Sequence, residues 1–484
     1  MNGTMNLPHF NRTRARPRSI RQSAARAWWL ALGLFCASPS AFAYDLWQAY
    51  QDAQVNDPTY LSDIAQKEVY DAQKKQARAA MMPTVLVGAG IYKTRKQFWQ
   101  SPLPDIRTTP ANVTVSLNQP ILELDKITGF RQLSTNVQIG DLKLAQAKQD
   151  LITRVVQAYF SAWLADHNVQ VAKNVLTASE RQYQMAQKNF EVGNTTIIDT
   201  QEAQTVWHNA QATLINAQAS VDNAKSNLES VVGHPITEPL AGIRAPLKLK
   251  MPVPDTSDKW VARANEANYN IKMAQLGYKV ADLETTRMVQ QRLPKVSIVA
   301  SYRWSKNSTT TGSLISDDRN SLSTIGLELS MPIFDGGMIG AQVLEAEANK
   351  TISAQSLRAT QINVAQSTRV AYNQAVSGLA TITALESAQT AAQKSSQSNL
   401  LGYQLGMRIN VDVLNAQNTY AQAQYNLAQA QYNTILGNVN LKSAIADLKD
   451  EDVRYINDLL STASPAPATT GAKAANAPEP KPKP

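Results

Sequence analysis

The sequence predicts a mixed α/β chain built from two copies of one unit, each a helix, a β-hairpin, a very long helix, a turn and a returning helix. Three observations predict it. The first is an internal repeat. Phe190 to Asp199 reads Phe-Glu-Val-Gly-Asn-Thr-Thr-Ile-Ile-Asp, and Tyr403 to Asp412 reads Tyr-Gln-Leu-Gly-Met-Arg-Ile-Asn-Val-Asp. Gly193 answers Gly406 and Asp199 answers Asp412, both 213 residues later, and Ala203-Gln204 answers Ala416-Gln417 at the same offset. A repeat of this kind fixes architecture before any motif is weighed. The second is a pair of long stretches without a strong helix breaker, carrying alanine-rich heptad seams. The third is four short stretches in which apolar residues alternate at period two, as in strands.

The first 43 residues hold six arginines and no acid, then an apolar run from Ala27 to Ala37, then Ala41-Phe42-Ala43. This pattern predicts a secretory signal peptide over 1–43, cleaved after Ala43. The run is short of the roughly 20 residues a bilayer span needs. Cys36, the chain's one cysteine, lies inside it, so the mature chain has no disulfide, no thiolate metal site and no Cys nucleophile. The formal charge of +9 falls to 41 basic against 38 acidic residues without this segment. A nearly neutral body gives no nucleic-acid footprint.

The first copy is expected over 44–233. Tyr44 to about Met82 reads as helix broken at Asn56-Asp57-Pro58, with Pro58 in a first turn where its missing N–H costs nothing. Val85, Val87, Ala89 and Ile91 alternate, as do Val113, Val115 and Leu117, giving strands of roughly 9–10 residues around a polar loop over 96–110. From Leu122 to Asn189 a helix of ~60 residues would be ~90 Å long. Its seam is Leu151, Val155, Ala158, Ala162, Ala165, Val169, Ala172 and Leu176. The returning helix runs to Val232 and stops at Gly233-His234-Pro235.

Residues 234–257 are Pro-rich and irregular and separate the copies. The second copy, 258–447, repeats the order: helix from Trp260 to Gln291, alternation over Val296 to Trp304, a Ser/Thr/Asn/Asp-rich loop over 305–322, alternation over Ile325 to Met331, a long helix from Ile339 to Leu401, the Gly406 turn and a helix from Val411. A further segment is expected over 448–460 and a disordered Pro/Ala/Lys tail over 461–484. No later apolar run is long enough for a transmembrane helix. Four strands cannot close a barrel, and an open edge in lipid leaves backbone groups unpaired at several kcal/mol each. Either several chains share one barrel or the strands form a small soluble sheet. Tyr92, Tyr302 and Trp304 near the strand ends suit an aromatic girdle.

In this order of elements the chain resembles the TolC family of outer-membrane channel proteins over about residues 45–457. The carriers are Asn56-Asp57-Pro58, Pro83-Thr84-Val85, Gln119-Pro120-Ile121, Met331 to Gly337, Leu401 to Arg408 with Val411-Asp412-Val413-Leu414, and Asn438 to Ala444. The resemblance implies a homotrimer: a twelve-stranded transmembrane β-barrel set in outer-membrane lipid, a twelve-helix coiled-coil tunnel in the periplasm, and an equatorial collar from 234–257 and 448–460. It implies a passive exit duct for drug efflux or type I protein secretion. Its partners would be a periplasmic adaptor (membrane fusion) protein and an inner-membrane pump or ABC transporter.

The resemblance also implies a periplasmic gate. Arg408 and Asp199 would pair, with Tyr403 a hydrogen-bonding neighbour. Asp412 would form a ring of carboxylates that favours cations. Asn415, one turn on, would make any second ring uncharged. Gly193 and Gly406 would let the adaptor's hairpins approach the tip. The residues themselves leave a plainer alternative open: Arg408 and Asp412, four apart, form a local helix pair, and the glycines are ordinary turn glycines. The three scattered histidines of the expected mature chain, His167, His208 and His234, offer no metal site, and no cofactor motif or nucleophile–base set appears, so no enzyme is expected. The alternative function is a periplasmic coiled-coil adaptor or structural protein without a pore.

Overall fold

The computed structural model describes residues 43–461 except 100, 101, 245 and 248. Of the signal peptide expected over 1–43 and the tail expected over 461–484, residues 1–42 and 462–484 lie outside the described residues. Helices α1 (Leu46–Asn56) and α2 (Pro58–Ala79) open the chain. Strands β1 (Thr84–Ile91), β2 (Thr94–Lys96) and β3 (Ile106–Leu122) follow, then α3 (Leu124–Glu191) and α4 (Ile197–Val232). After β4 (Gly242–Ile243) come α5 (Ser257–Ala267), α6 (Tyr269–Gln290), β5 (Lys295–Thr311) and β6 (Leu314–Ser330). The chain ends on α7 (Met338–Gln404), α8 (Asn410–Ala444), α9 (Asp450–Asp458) and β7 (Leu460–Ser461).

The α1–α2 break forms because Asp57 turns its carboxylate onto the amides of Thr59 and Tyr60, 3.2 and 3.4 Å away, while Pro58 supplies no donor. Asn268 performs the same cap between α5 and α6, accepting from Asn270 and Ile271. The 68 residues of α3 and 67 of α7 exceed the expected length, ~100 Å each at 1.5 Å per residue.

The main sheet is antiparallel in the order β1-β3-β5-β6, with β2 also pairing β3. Three of its strands are longer than expected: β3, β5 and β6 each have 17 residues. Most of the two polar loops is ladder instead. Thr309 pairs with Ser316 and Ser308 with Asp317, and the second loop shrinks to a turn at Gly312 and Ser313. Ser and Thr side chains pair well across strands where both faces are wet, so apolar alternation vanishes while the hydrogen bonds continue. The first strand is interrupted at Tyr92 and Lys93. The apolar side chains of this sheet stay exposed, Val87, Ile325, Leu327 and Leu329 by 69–81%.

The principal core lies near the midpoint of α3, where Leu151, Ile152, Val155, Tyr159 and Phe160 are buried against α1, α4, α8 and α9. Tyr159 donates its hydroxyl to the carbonyls of Tyr44 and Ala241, 2.9 and 3.1 Å away, and so ties the start of the described chain to the inter-repeat segment. The heptad seam of α3 is the buried one: six of its eight members are buried and the other two half-buried.

Alanine and glycine at the seams allow close axes. A Cβ on Gly378 of α7 would lie 2.4 Å from the Thr434 hydroxyl and 3.0 Å from its Cβ on α8. Thr434 is itself buried and bonded to the Ala430 carbonyl. Glycine to alanine in a helix ordinarily gains about 1 kcal/mol, but overpacking costs about 1–3. Gly378→Ala is expected to lower the thermal midpoint, and a rise would show that α7 and α8 can separate freely there.

His234 sits where the returning helix meets this core. Both ring nitrogens face acceptors: Nδ1 the Pro235 carbonyl at 3.0 Å and Nε2 the Asp52 carboxylate at 3.1 Å. Tyr44 donates to the same carboxylate oxygen at 2.8 Å, and Glu238 adds its charge nearby. The Pro235 carbonyl first, then Asp52, hold the imidazole pKa above its ordinary 6.5. A raised folded value stabilises fully below the unfolded value and is lost as pH rises through the folded one. The melting difference between wild type and His234→Ala is therefore expected to be larger near pH 6 than above about pH 8. A difference independent of pH would remove the imidazolium from the account.

Candidate functional site at the hairpin turns

The two helical hairpins end in turns with the same backbone. At Gly193 φ is +76° and at Gly406 +73°, the left-handed region that glycine enters without penalty. The Asn194 amide donates to the Asn189 carbonyl at 2.8 Å, and the Met407 amide to the Gly402 carbonyl at 2.8 Å. These bonds stand 213 residues apart, so the repeat reaches the hydrogen-bond pattern.

The side chains then diverge. In the first turn Thr196 caps α4, and Asp199 closes a capping box. The Asp199 carboxylate takes the Thr195 hydroxyl at 2.5 Å, the Thr196 amide at 3.1 Å and the Thr196 hydroxyl at 2.9 Å. Chiefly the Thr195 hydroxyl holds its carboxyl below the usual carboxylate range, against slight burial. In the second turn the same places hold Arg408, Ile409 and Asp412. Ile409 cannot cap α8. Asp412 faces Arg408 instead, Oδ2 to Nη1 at 3.5 Å, both partly exposed.

Within one chain, then, Arg408 is partnered by Asp412, and Asp199 is engaged by its own turn. Within the one chain the implied Arg408–Asp199 pair is not formed: Arg408 faces Asp412, and Asp199 Oδ2 takes all three donors of its own turn. Tyr403 accepts from Asn189 Nδ2 at 3.2 Å. Asn415 is exposed one turn beyond Asp412.

Two residues the sequence did not single out bind the hairpins together. Asn410 is buried, accepts from Gln182 Nε2 of α3 and donates to the Asp199 carbonyl of α4 at 3.3 Å. With the Asn189–Tyr403 bond it places both turns at one end of the chain. The surrounding tip is apolar and open: Val192, Ile198, Leu405, Met407 and Ile409 are each at least 63% exposed.

A sheet with unpaired edges and exposed apolar faces, carried on ~100 Å helices that end in paired turns, defines a class: outer-membrane channels continued by a helical tunnel. The chain belongs to the outer membrane efflux protein family, whose profile matches residues 49–234 and 260–447. It is 26% identical to outer membrane protein TolC of Escherichia coli (strain K12), over 89% of this chain and 88% of that one. It is also 26% identical to the alkaline protease secretion protein AprF of Pseudomonas aeruginosa, over 82% and 83%. Among solved structures it is similar to the CmeC outer membrane channel of Campylobacter jejuni, with TM-score 0.74 at 14% identity, covering 86% of this chain and 89% of that one. VceC of Vibrio cholerae gives TM-score 0.69 at 18% identity, over 83% and 96%. Both structural likenesses concern the fold. The poreless adaptor reading is not favoured.

Proposed function

We propose that three copies of this chain form an outer-membrane exit duct, opened at its periplasmic tip. One observation carries it. Among the described residues the sheet has two free edges, one formed by β1 with β2 and the other by β6, each paired on one side only. In lipid such edges must be paired. Joining β6 of one copy to β1 of the next closes a barrel and leaves none open.

The helical hairpins then assemble into a tunnel of twelve helices. The tip would carry three Arg408–Asp412 pairs, with Tyr403 and Asn410 locking the two turns of each chain. Asp412 would give the mouth a ring of carboxylates that favours cations, and Asn415 adds no second charge. Asp199 would hold the first turn in shape. Gly193, Gly406 and the exposed apolar side chains beside them would receive a periplasmic adaptor, which connects the duct to an inner-membrane pump or ABC transporter. A relative named for protease secretion and a family named for efflux support a duct open to more than one cargo class.

The test is the native mass of the mature protein, purified in detergent from the outer-membrane fraction. A trimer is expected. A water-soluble monomer recovered from the periplasm would end the duct reading.

A further inference from the structure

We infer that a cavity beside α9 is a binding site for a small amphipathic anion, one with an aromatic or other apolar body and a single carboxylate or sulfonate. The cavity has a volume of about 500 Å³ and lies between the segment Leu249–Val253, α5, the C-terminal end of α8 and α9. That volume is within the range of small-molecule sites, roughly 300–1,000 Å³.

Its floor is apolar, with Val439, Ile445 and Leu448 buried beneath it. Two of its walls are aromatic, and the polar end of each has a backbone partner. The Trp260 indole N–H donates to the Pro254 carbonyl at 2.7 Å, and the Tyr455 hydroxyl accepts the Lys250 amide at 3.3 Å. Both rings line the cavity.

Two cations stand over those rings. Lys250 Nζ is 5.3 Å from the Tyr455 centroid, and the Arg263 guanidinium carbon is 6.0 Å from that of Trp260. Both side chains line the cavity and are exposed. The two carboxylates of the lining have other partners: Asp452 accepts from Lys442, and Asp447 is paired with Lys449 at 2.8 Å. Among the described residues, neither Lys250 nor Arg263 has a carboxylate within ion-pair distance. Two cations without an ion-pair partner, beside aromatic walls and above an apolar floor, select a ligand with an anionic head and an apolar body. A purely polar ligand would leave the floor wet, and a neutral apolar one would leave the cations unanswered.

The cavity contrasts with the larger one near Asn268, of about 630 Å³, whose lining includes Gln149, Asp150, Asn363 and Gln366 and no unpaired cation.

The experiment is calorimetric titration of the whole detergent-purified protein with naphthoate in a neutral maltoside, against a detergent blank. Naphthylmethanol serves as the neutral counterpart. One saturable site per chain is expected. The double variant Lys250→Ala, Arg263→Ala changes only exposed side chains, and it should weaken naphthoate about tenfold or more, as should replacing naphthoate by the alcohol. Ile445→Trp, which fills the cavity and keeps both cations, should abolish binding. Heats no larger than the blank would overturn the inference, as they would if a neighbouring copy filled the cavity. Equal affinity in the double variant, or for the alcohol, would overturn it too.

Discussion

Replacing Arg408 with alanine is expected to raise single-channel conductance in a planar bilayer severalfold without lowering thermal stability. Among the described residues of one chain the carboxylate that Arg408 pairs with is Asp412, at 3.5 Å, with the two side chains 59% and 37% exposed. An exposed pair four residues apart contributes about 0.5 kcal/mol or less, so its loss is invisible in melting. Any change in conductance must then come from contacts between copies at the mouth. Removing the three guanidinium groups also leaves the Asp412 carboxylates uncompensated and mutually repulsive. The current should therefore become more cation-selective as it grows. Asp199→Ala is the informative companion. Its Oδ2 holds Thr195 and Thr196 of its own turn, so its loss should cost about 1 kcal/mol of capping and change conductance far less. Conductance unchanged in Arg408→Ala would leave the pair a local helix contact and sink the gate.

The second large effect is expected at Asp57. This carboxylate is buried, caps α2 and accepts from Arg154 of α3. Asp57→Ala removes the cap, worth about 1 kcal/mol, and strands the guanidinium. Stranding a fully buried partner costs about 3–5 kcal/mol, but Arg154 is 35% exposed and can partly return to water. A total near 2–3 kcal/mol follows. Asp57→Asn should keep the cap and lose only the ionic part. The second repeat already carries that solution: Asn268 caps α6 and spends its amide on the Ala444 carbonyl at 2.8 Å. Equal losses for the alanine and asparagine variants in thermal melting would show that the cap contributes nothing.

Much of the fold was legible in the sequence, because its signals are local or repeat. The Asp57-Pro58 break, the alanine seams and the glycine turns each announce themselves within a few residues, and the offset copy confirms their reading. The upper parts of β5 and β6 were not legible. Residues 305–322 carry Ser, Thr, Asn and Asp, which read as loop, and it is the partner strand that makes them a ladder. At the tip, the Arg408–Asp412 contact was readable as a spacing of four. The Gln182–Asn410 bond joins residues 228 apart, and nothing near either marks the other. Likewise the sequence shows two aspartates at equivalent places, but only the flanking Thr195-Thr196 and Arg408-Ile409 decide which one is spent.

The uninterrupted span of α3 has a mechanical side. The helix is held near its midpoint, where Tyr159 and Phe160 are buried, and extends ~50 Å from there to Glu191. Moving together with the helices packed along it, it would act as a lever with its fulcrum at the core. A tilt of about 6° there carries the far end about 5 Å sideways, with no hydrogen bond broken along the shaft. Small repacking around Tyr159 is thereby geared up into a displacement as wide as a side chain at the turn.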